Sequence, residues 1–137
     1  MPADPPHSAS KTGCTLAVIH HPFESSGPNG PNAYLRDVWE LMHGLGADLV
    51  LNGHDHLYER FAPVDASQRP DPAKGIRQFT VGTGGAALYG RARASGNSEL
   101  LLSAYGLLRL KLDPALYEWH FLDQTGNVLD RGLNICH

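Results

Sequence analysis

Hydrophobic positions fall into distinct patterns along this chain, and each predicts a different element. Thr15-Leu16-Ala17-Val18-Ile19 is a continuous, partly β-branched run without alternation, the pattern of a strand buried on both faces. From Asn32 to about Leu45, residues Leu35, Val38, Trp39, Met42 and Leu45 fall at helical spacing on one face. Asn32 is placed to act as its N-cap, and Gly44 and Gly46 are available for its stop. Asp48-Leu49-Val50-Leu51-Asn52-Gly53 is a second short buried strand. These three make a strand–helix–strand unit.

Such a crossover makes its two strands parallel, and parallel strands present their carboxyl ends at one edge of the sheet. Open α/β sheets bind ligands at that edge. His20 follows the first strand, and His54 and His56 follow the second, so the three imidazoles are predicted to converge. Beyond Leu57 the texture turns to β. LYERFAP and IRQFTVG read as strands, whereas Thr83 to Ser103 reads as mostly irregular. AYGLLRLKL, LYEWHFL and VLDRGLN follow as short strands separated by Asp113-Pro114 and Thr125-Gly126-Asn127 turns. Tyr117, Trp119 and Phe121 alternate with Glu118, His120 and Leu122, giving one inward face and one partly wet face.

Composition narrows the classes. The 137 residues fit one domain at most. Lys plus Arg is 11 against 14 Asp plus Glu, a net charge of −3 that excludes a strongly basic nucleic-acid footprint. No apolar run approaches the roughly 18 residues of a membrane span. Residues 1–13 are Pro- and Ser-rich and read as a linker-like start; they lack the apolar stretch of a signal peptide. Eight histidines are the unusual feature, two of them adjacent at His20-His21 and two in His54-Asp55-His56.

Neutral imidazole is a common ligand for Zn, Fe and Mn-type ions, and two histidines at i and i+2 leaving a strand can turn to one site. Pro22 blocks continuation of the first strand and fixes the turn after His20-His21. Taken alone, His20, His54 and His56 are also compatible with a mononuclear tri-histidine zinc site. A (β/α)₈ amidohydrolase, the other common home of an HxH after a strand, needs about 200 residues or more. Gly82-Thr83-Gly84-Gly85 lacks the Lys-Ser/Thr of a phosphate-binding P-loop and reads as a tight turn. Glu59-Arg60 reads as a surface or interface pair, and His43, His120 and His137 as structural or exposed.

IHHPFESSG, then GADLVLNGHDHLYERFAP, then IRQFTVGTGGAAL resemble the calcineurin-like metallophosphoesterases, and within them the purple acid phosphatase branch. The likeness runs from about Cys14 to Cys136 and covers the C-terminal half of that family's catalytic domain. The upstream blocks of the family pattern, D-x-G or D-x-H, GDxxY or GDxxD, and GNHE or GNHD, do not occur here. The resemblance implies an α/β fold: half of a two-sheet sandwich flanked by helices, with residues 14–137 as a partial catalytic domain.

The same resemblance implies hydrolysis of small phosphate esters at two metal ions, an Fe, Zn or Mn pair acting as a clamp for in-line attack. His20 and His54 map onto ligands of the second metal and His56 onto a ligand of the first. His21 falls on a variable position that lines the pocket. Asn29 stands where the family loop carries a His that binds phosphate or protonates the leaving group; Asn can donate a hydrogen bond but is no general acid near neutral pH. Relatives of this type are commonly extracytoplasmic or secreted, where disulfides persist, so Cys14 and Cys136 are either bridged or two buried thiols. The alternative to an enzyme is a non-catalytic, truncated or partner-dependent half-domain that binds metal, pairs with a missing N-terminal half or self-associates.

Overall fold

The computed structural model describes residues 13–137; all but Gly13 of the linker-like start lies outside the described residues. Two sheets face one another. Strands β1 (Leu16–Val18), β2 (Leu49–Asn52), β3 (Tyr58–Phe61), β4 (Arg77–Val81) and β5 (Ser98–Leu102) form the first, in the order β1-β2-β4-β3-β5. Strands β6 (Gly106–Leu112), β7 (Leu116–Asp123) and β8 (Val128–Ile135) form the second as an antiparallel meander. β1 pairs β2 in parallel with Leu16 opposite Leu49, and β2 pairs β4 in parallel. β3 runs antiparallel to both of its neighbours.

The helix α1 (Arg36–Gly44), entered through a 3₁₀ turn at Ala33–Leu35, makes the crossover between β1 and β2. Asn32 heads that turn without a side-chain cap: its amide donates instead to the Pro22 carbonyl at 2.7 Å, tying the helix entry to the His20-His21-Pro22 segment. Of the apolar face read from the sequence, Trp39 is buried and Leu35 and Met42 pack against the core, while Val38 and Leu45 are exposed.

Successive residues of β2 serve two cores. Val50 joins Phe23, Trp39, Ala47, Val64 and Ile76 beneath the helix. Leu49 joins Tyr58, Phe79, Tyr117, Trp119 and Phe121 between the sheets, where Tyr58 stacks on Phe121 with ring centroids 4.1 Å apart. A strand covered on both faces has no polar side to show, which is why β2 reads as an unbroken apolar run. β1 departs from that expectation. Among the described residues it is an edge strand, and Val18 is 74% exposed although Leu16, on the same face, packs into the inter-sheet core.

The segment read as irregular contains a further strand, β5. Its Ser-Glu-Leu-Leu-Leu sequence has no period-2 signal, and pairing with β3 decides its conformation. Cys14 and Cys136 are joined in a disulfide with Cα atoms 5.3 Å apart, closing the chain from the start of β1 to the end of β8. The buried Asp48 carboxylate beside it accepts the backbone N–H of Thr15 at 2.7 Å and of His137 at 2.8 Å. Among the described residues, no helix is long and apolar enough to cross a membrane.

Candidate metal centre

The parallel ladder continues past β1 and delivers the first histidines. Ile19 donates to Leu51 at 3.0 Å, and Gly53 donates to the His20 carbonyl at 3.0 Å, so His20 lies beside the chain leaving β2. The buried Asn52 side chain reaches across from β2 and donates to the carbonyls of Ile19 at 2.7 Å and His21 at 3.2 Å. Those bonds fix the backbone on both sides of His20.

The Gly53-His54-Asp55-His56 segment turns twice within four residues. Asp55 N–H bonds the Gly53 carbonyl at 2.8 Å, and Leu57 N–H bonds the Asp55 carbonyl at 2.9 Å. His54, at the centre of the first turn, has φ of 65°. A positive φ is uncommon for a non-glycine residue and costs on the order of 1–3 kcal/mol, so the surroundings must hold it there. The turn aims His54 back toward the end of β1.

As a result His20, His21 and His54 form one cluster, each offering a ring nitrogen within 4.8 Å of the others. Ring centroids are 5.3 Å apart for His20–His54, 4.2 Å for His21–His54 and 5.0 Å for His20–His21. His56 is not in this cluster. Its ring stacks on Tyr89 at 4.4 Å, and its Nδ1 faces the Ala87 carbonyl at 2.9 Å, which leaves Nε2 as its free ligand atom. Asn29 lies at the rim, exposed, with its side-chain amide 3.4 Å from the His54 carbonyl.

Asp55 is the residue that holds the segment, a role that its place between two histidines did not reveal. Its carboxylate is fully buried and turned into the protein, accepting the Ser25 hydroxyl and, at 3.0 Å, the Asn29 backbone N–H. Gly27 lies against that carboxylate, and a Cβ there would meet its Cγ at 2.5 Å. Gly82 lies against the Asp55 carbonyl, with no space for a Cβ. The Gly82-Thr83 turn is therefore a close approach of two backbones, with Thr83 bonded to Gly106 of the second sheet.

Glu59 also departs from the surface-pair reading. It is buried, accepts the Ser26 N–H at 2.9 Å and the Ser98 hydroxyl at 2.6 Å, and so fixes the loop from behind. Arg60 instead pairs with Asp130 and Glu99. The loop after β4 closes the far side through Tyr89 N–H to the His56 carbonyl at 2.8 Å and Arg93 to the Gly27 carbonyl. The ionisation of His54 follows from this crowding. Burial, and then His21 and His20 close by, lower its pKa from the ordinary value, with Asp55 opposing. The neutral, ligand-competent imidazole is the favoured form.

Three imidazoles fit one borderline ion. They do not by themselves fit a pair, since among the described residues no carboxylate joins the cluster to bridge two cations.

No family model matches the chain. Among curated proteins it is 32% identical to purple acid phosphatase 21 of Arabidopsis thaliana over 80% of this chain and 27% of that one. It is 30% identical to purple acid phosphatase 22 of the same plant over 86% of this chain and 29% of that one. The chain is purple-acid-phosphatase-like. It spans under a third of the length of these curated relatives. The fold of this purple-acid-phosphatase-like chain matches the phosphatase PPD1 from yellow lupin seeds with a TM-score of 0.71 at 21% identity, over 88% of this chain and 24% of that one. It also matches GAP50, described as the anchor in the inner membrane complex of Plasmodium, with a TM-score of 0.76 at 19% identity, over 94% of this chain and 40% of that one.

Proposed function

We propose that this chain supplies one side of a phosphoric-ester hydrolase site, with His20, His54 and His56 as metal ligands and the remaining ligands, a bridging carboxylate among them, from residues outside it. The observation that carries this reading is the meeting of His20 and His54 at the carboxyl ends of two adjacent parallel strands, in a chain similar to purple acid phosphatases. An Fe, Zn or Mn pair, when bound, supplies Lewis-acid polarisation of a small phosphate ester. The chain's own residues orient the substrate: His21 lines the pocket, and Asn29 donates to a phosphate oxygen from the loop that Asp55 holds in place. The Cys14–Cys136 bridge supports an extracytoplasmic site of action.

Hydrolysis of 4-nitrophenyl phosphate tests the reading. The chain alone is expected to be nearly inactive, and supplying the preceding half of a purple acid phosphatase domain as a second polypeptide is expected to give turnover that His54→Ala abolishes. Asn29→His in that assembly is expected to raise alkyl phosphate hydrolysis relative to the nitrophenyl ester, because it restores a general acid. A folded, associated pair without His54-dependent turnover would overturn the reading. A second reading, a non-catalytic half-domain that associates with a partner, is favoured by the exposed edge at Val18 and by the likeness in fold to an anchor protein.

A further inference from the structure

We infer that His20, His21 and His54 form a mononuclear site in this chain, taking one borderline divalent ion of the Zn²⁺ class with a small anion at an open fourth position. It concerns the same cleft as the phosphoesterase reading but a different donor set: His21 enters as a ligand and His56 stays out.

The geometry favours that set. A tetrahedral ion with bonds near 2.05 Å asks its nitrogens to lie about 3.3 Å apart, and the three rings here already lie within 4.8 Å. Side-chain rotation of about 1.5 Å closes the difference. The backbones need no movement, since Asn52 fixes Ile19 and His21, the ladder bond from Gly53 fixes His20, and the turn around Asp55 fixes His54. The His21 and His54 planes meet at 47° rather than stacking flat, so their edges can converge on one point. His56 is held the other way, between Tyr89 and the Ala87 carbonyl.

The chemistry of the donors sets the metal class. Imidazole suits Zn²⁺, Co²⁺, Ni²⁺ and Cu²⁺, while Mg²⁺ and Ca²⁺ ask for oxygen ligands that this cluster lacks. Three neutral ligands leave the ion's two positive charges uncompensated. With His20 exposed, the fourth position faces solvent and is open to hydroxide, chloride or orthophosphate.

Co²⁺ is the spectroscopic probe and Zn²⁺ the competitor, with the full chain kept oxidised. Expected are one equivalent of Co²⁺ with visible bands that orthophosphate shifts, and three hyperfine-shifted ring N–H signals in the proton spectrum. His21→Ala is expected to weaken Zn²⁺ binding at least about 10-fold, and His56→Ala by less than about 2-fold, as fits loss of a ligand against loss of a neighbour. Retained binding in His21→Ala with loss in His56→Ala would overturn the inference and leave the phosphoesterase reading standing. Stoichiometry above one, or equal binding by wild type and His54→Ala, would overturn it as scattered surface coordination. The signal count in the wild-type protein requires no variant, so a misfolded His21→Ala leaves the question decidable; two signals would overturn the inference.

Discussion

The two ends of the molecule are held by different forces. Around the second sheet the core is apolar and regular, with the Asp130 polar group at its margin: Tyr58 on Phe121, Phe79 against Trp119, Tyr117 beneath, all buried between β-strands. Around the histidines the contacts are polar and irregular: Asp55 to Ser25 and Asn29, Glu59 to Ser26 and Ser98, Gly27 and Gly82 packed on Asp55. Apolar burial is tolerant of small shifts and contributes the stability, whereas buried polar bonds demand their geometry and contribute position. The disulfide lies at the sandwich end, remote from the carboxyl ends of β1 and β2. Reducing it is expected to have the largest effect on stability. With a sequence separation of 122, the loss is about 5 kcal/mol in the chain-entropy model. Denaturant titration with and without reductant measures it, and metal affinity of the protein that stays folded should be unchanged. A large loss of affinity on reduction would break the division.

Two substitutions sharpen the same division. Phe121→Ala removes a fully buried ring and is expected to lower stability by about 3–5 kcal/mol while leaving Zn²⁺ affinity of the folded protein intact. Asp55→Ala strands the Ser25 hydroxyl and the Asn29 N–H and is expected to cost about 2–3 kcal/mol. Its larger consequence is functional. The turn that holds His54 at positive φ loses its anchor, so Zn²⁺ affinity should fall at least about 10-fold. Finding the reverse, affinity lost in Phe121→Ala and kept in Asp55→Ala, would refute the assignment of stability to one end and position to the other.

Legibility in the sequence follows the same line. The strand–helix–strand unit and the meander of β6, β7 and β8 were legible, because apolar periodicity is a local property: Tyr117, Trp119 and Phe121 sit inward as their alternation implies. His20 and His54 were legible as neighbours, because a right-handed crossover leaves little freedom in where the two strands end. What was not legible depends on partners distant in sequence. Val18 looks like core until the sheet proves to end at β1, and β5 looks irregular until β3 supplies its ladder. Glu59 reads as a surface acid, and Asp55 shows no role of its own between two histidines, because nothing local announces the Ser25-Ser26 loop that buries them. The substitution of His21 for His56 in the cluster turns on a ring stacking with Tyr89, more than 30 residues away.

The smallest expected effect is a difference in sign with pH. At the sandwich end, Asp130 accepts bonds from Arg60, Tyr58 and Trp119. Burial works against its charge, but the bonds from Arg60 and Tyr58 outweigh that and hold its pKa below the ordinary 3.8. Its contribution is therefore present above about pH 4 and lost as pH falls through the depressed folded value. At the histidine end, burial, with the Glu59 charge adding, raises Glu24 above 4.5 against the opposing Ser95 bond and Arg36. Folding there favours the protonated acid, so the contribution is full below 4.5 and is lost as pH rises through the raised value. Acidifying from pH 7 to 4.5 should thus tighten the segment around Glu24, which exchanges backbone bonds with the Gln78 side chain, and leave β7 unchanged. Below 3.8 the sandwich should loosen. Amide hydrogen exchange, corrected for intrinsic pH dependence, reads both ends at once, and Glu24→Gln should flatten only the first response. A Glu24→Gln protein whose loop protection still falls between pH 4.5 and 7 would assign that slope to another group.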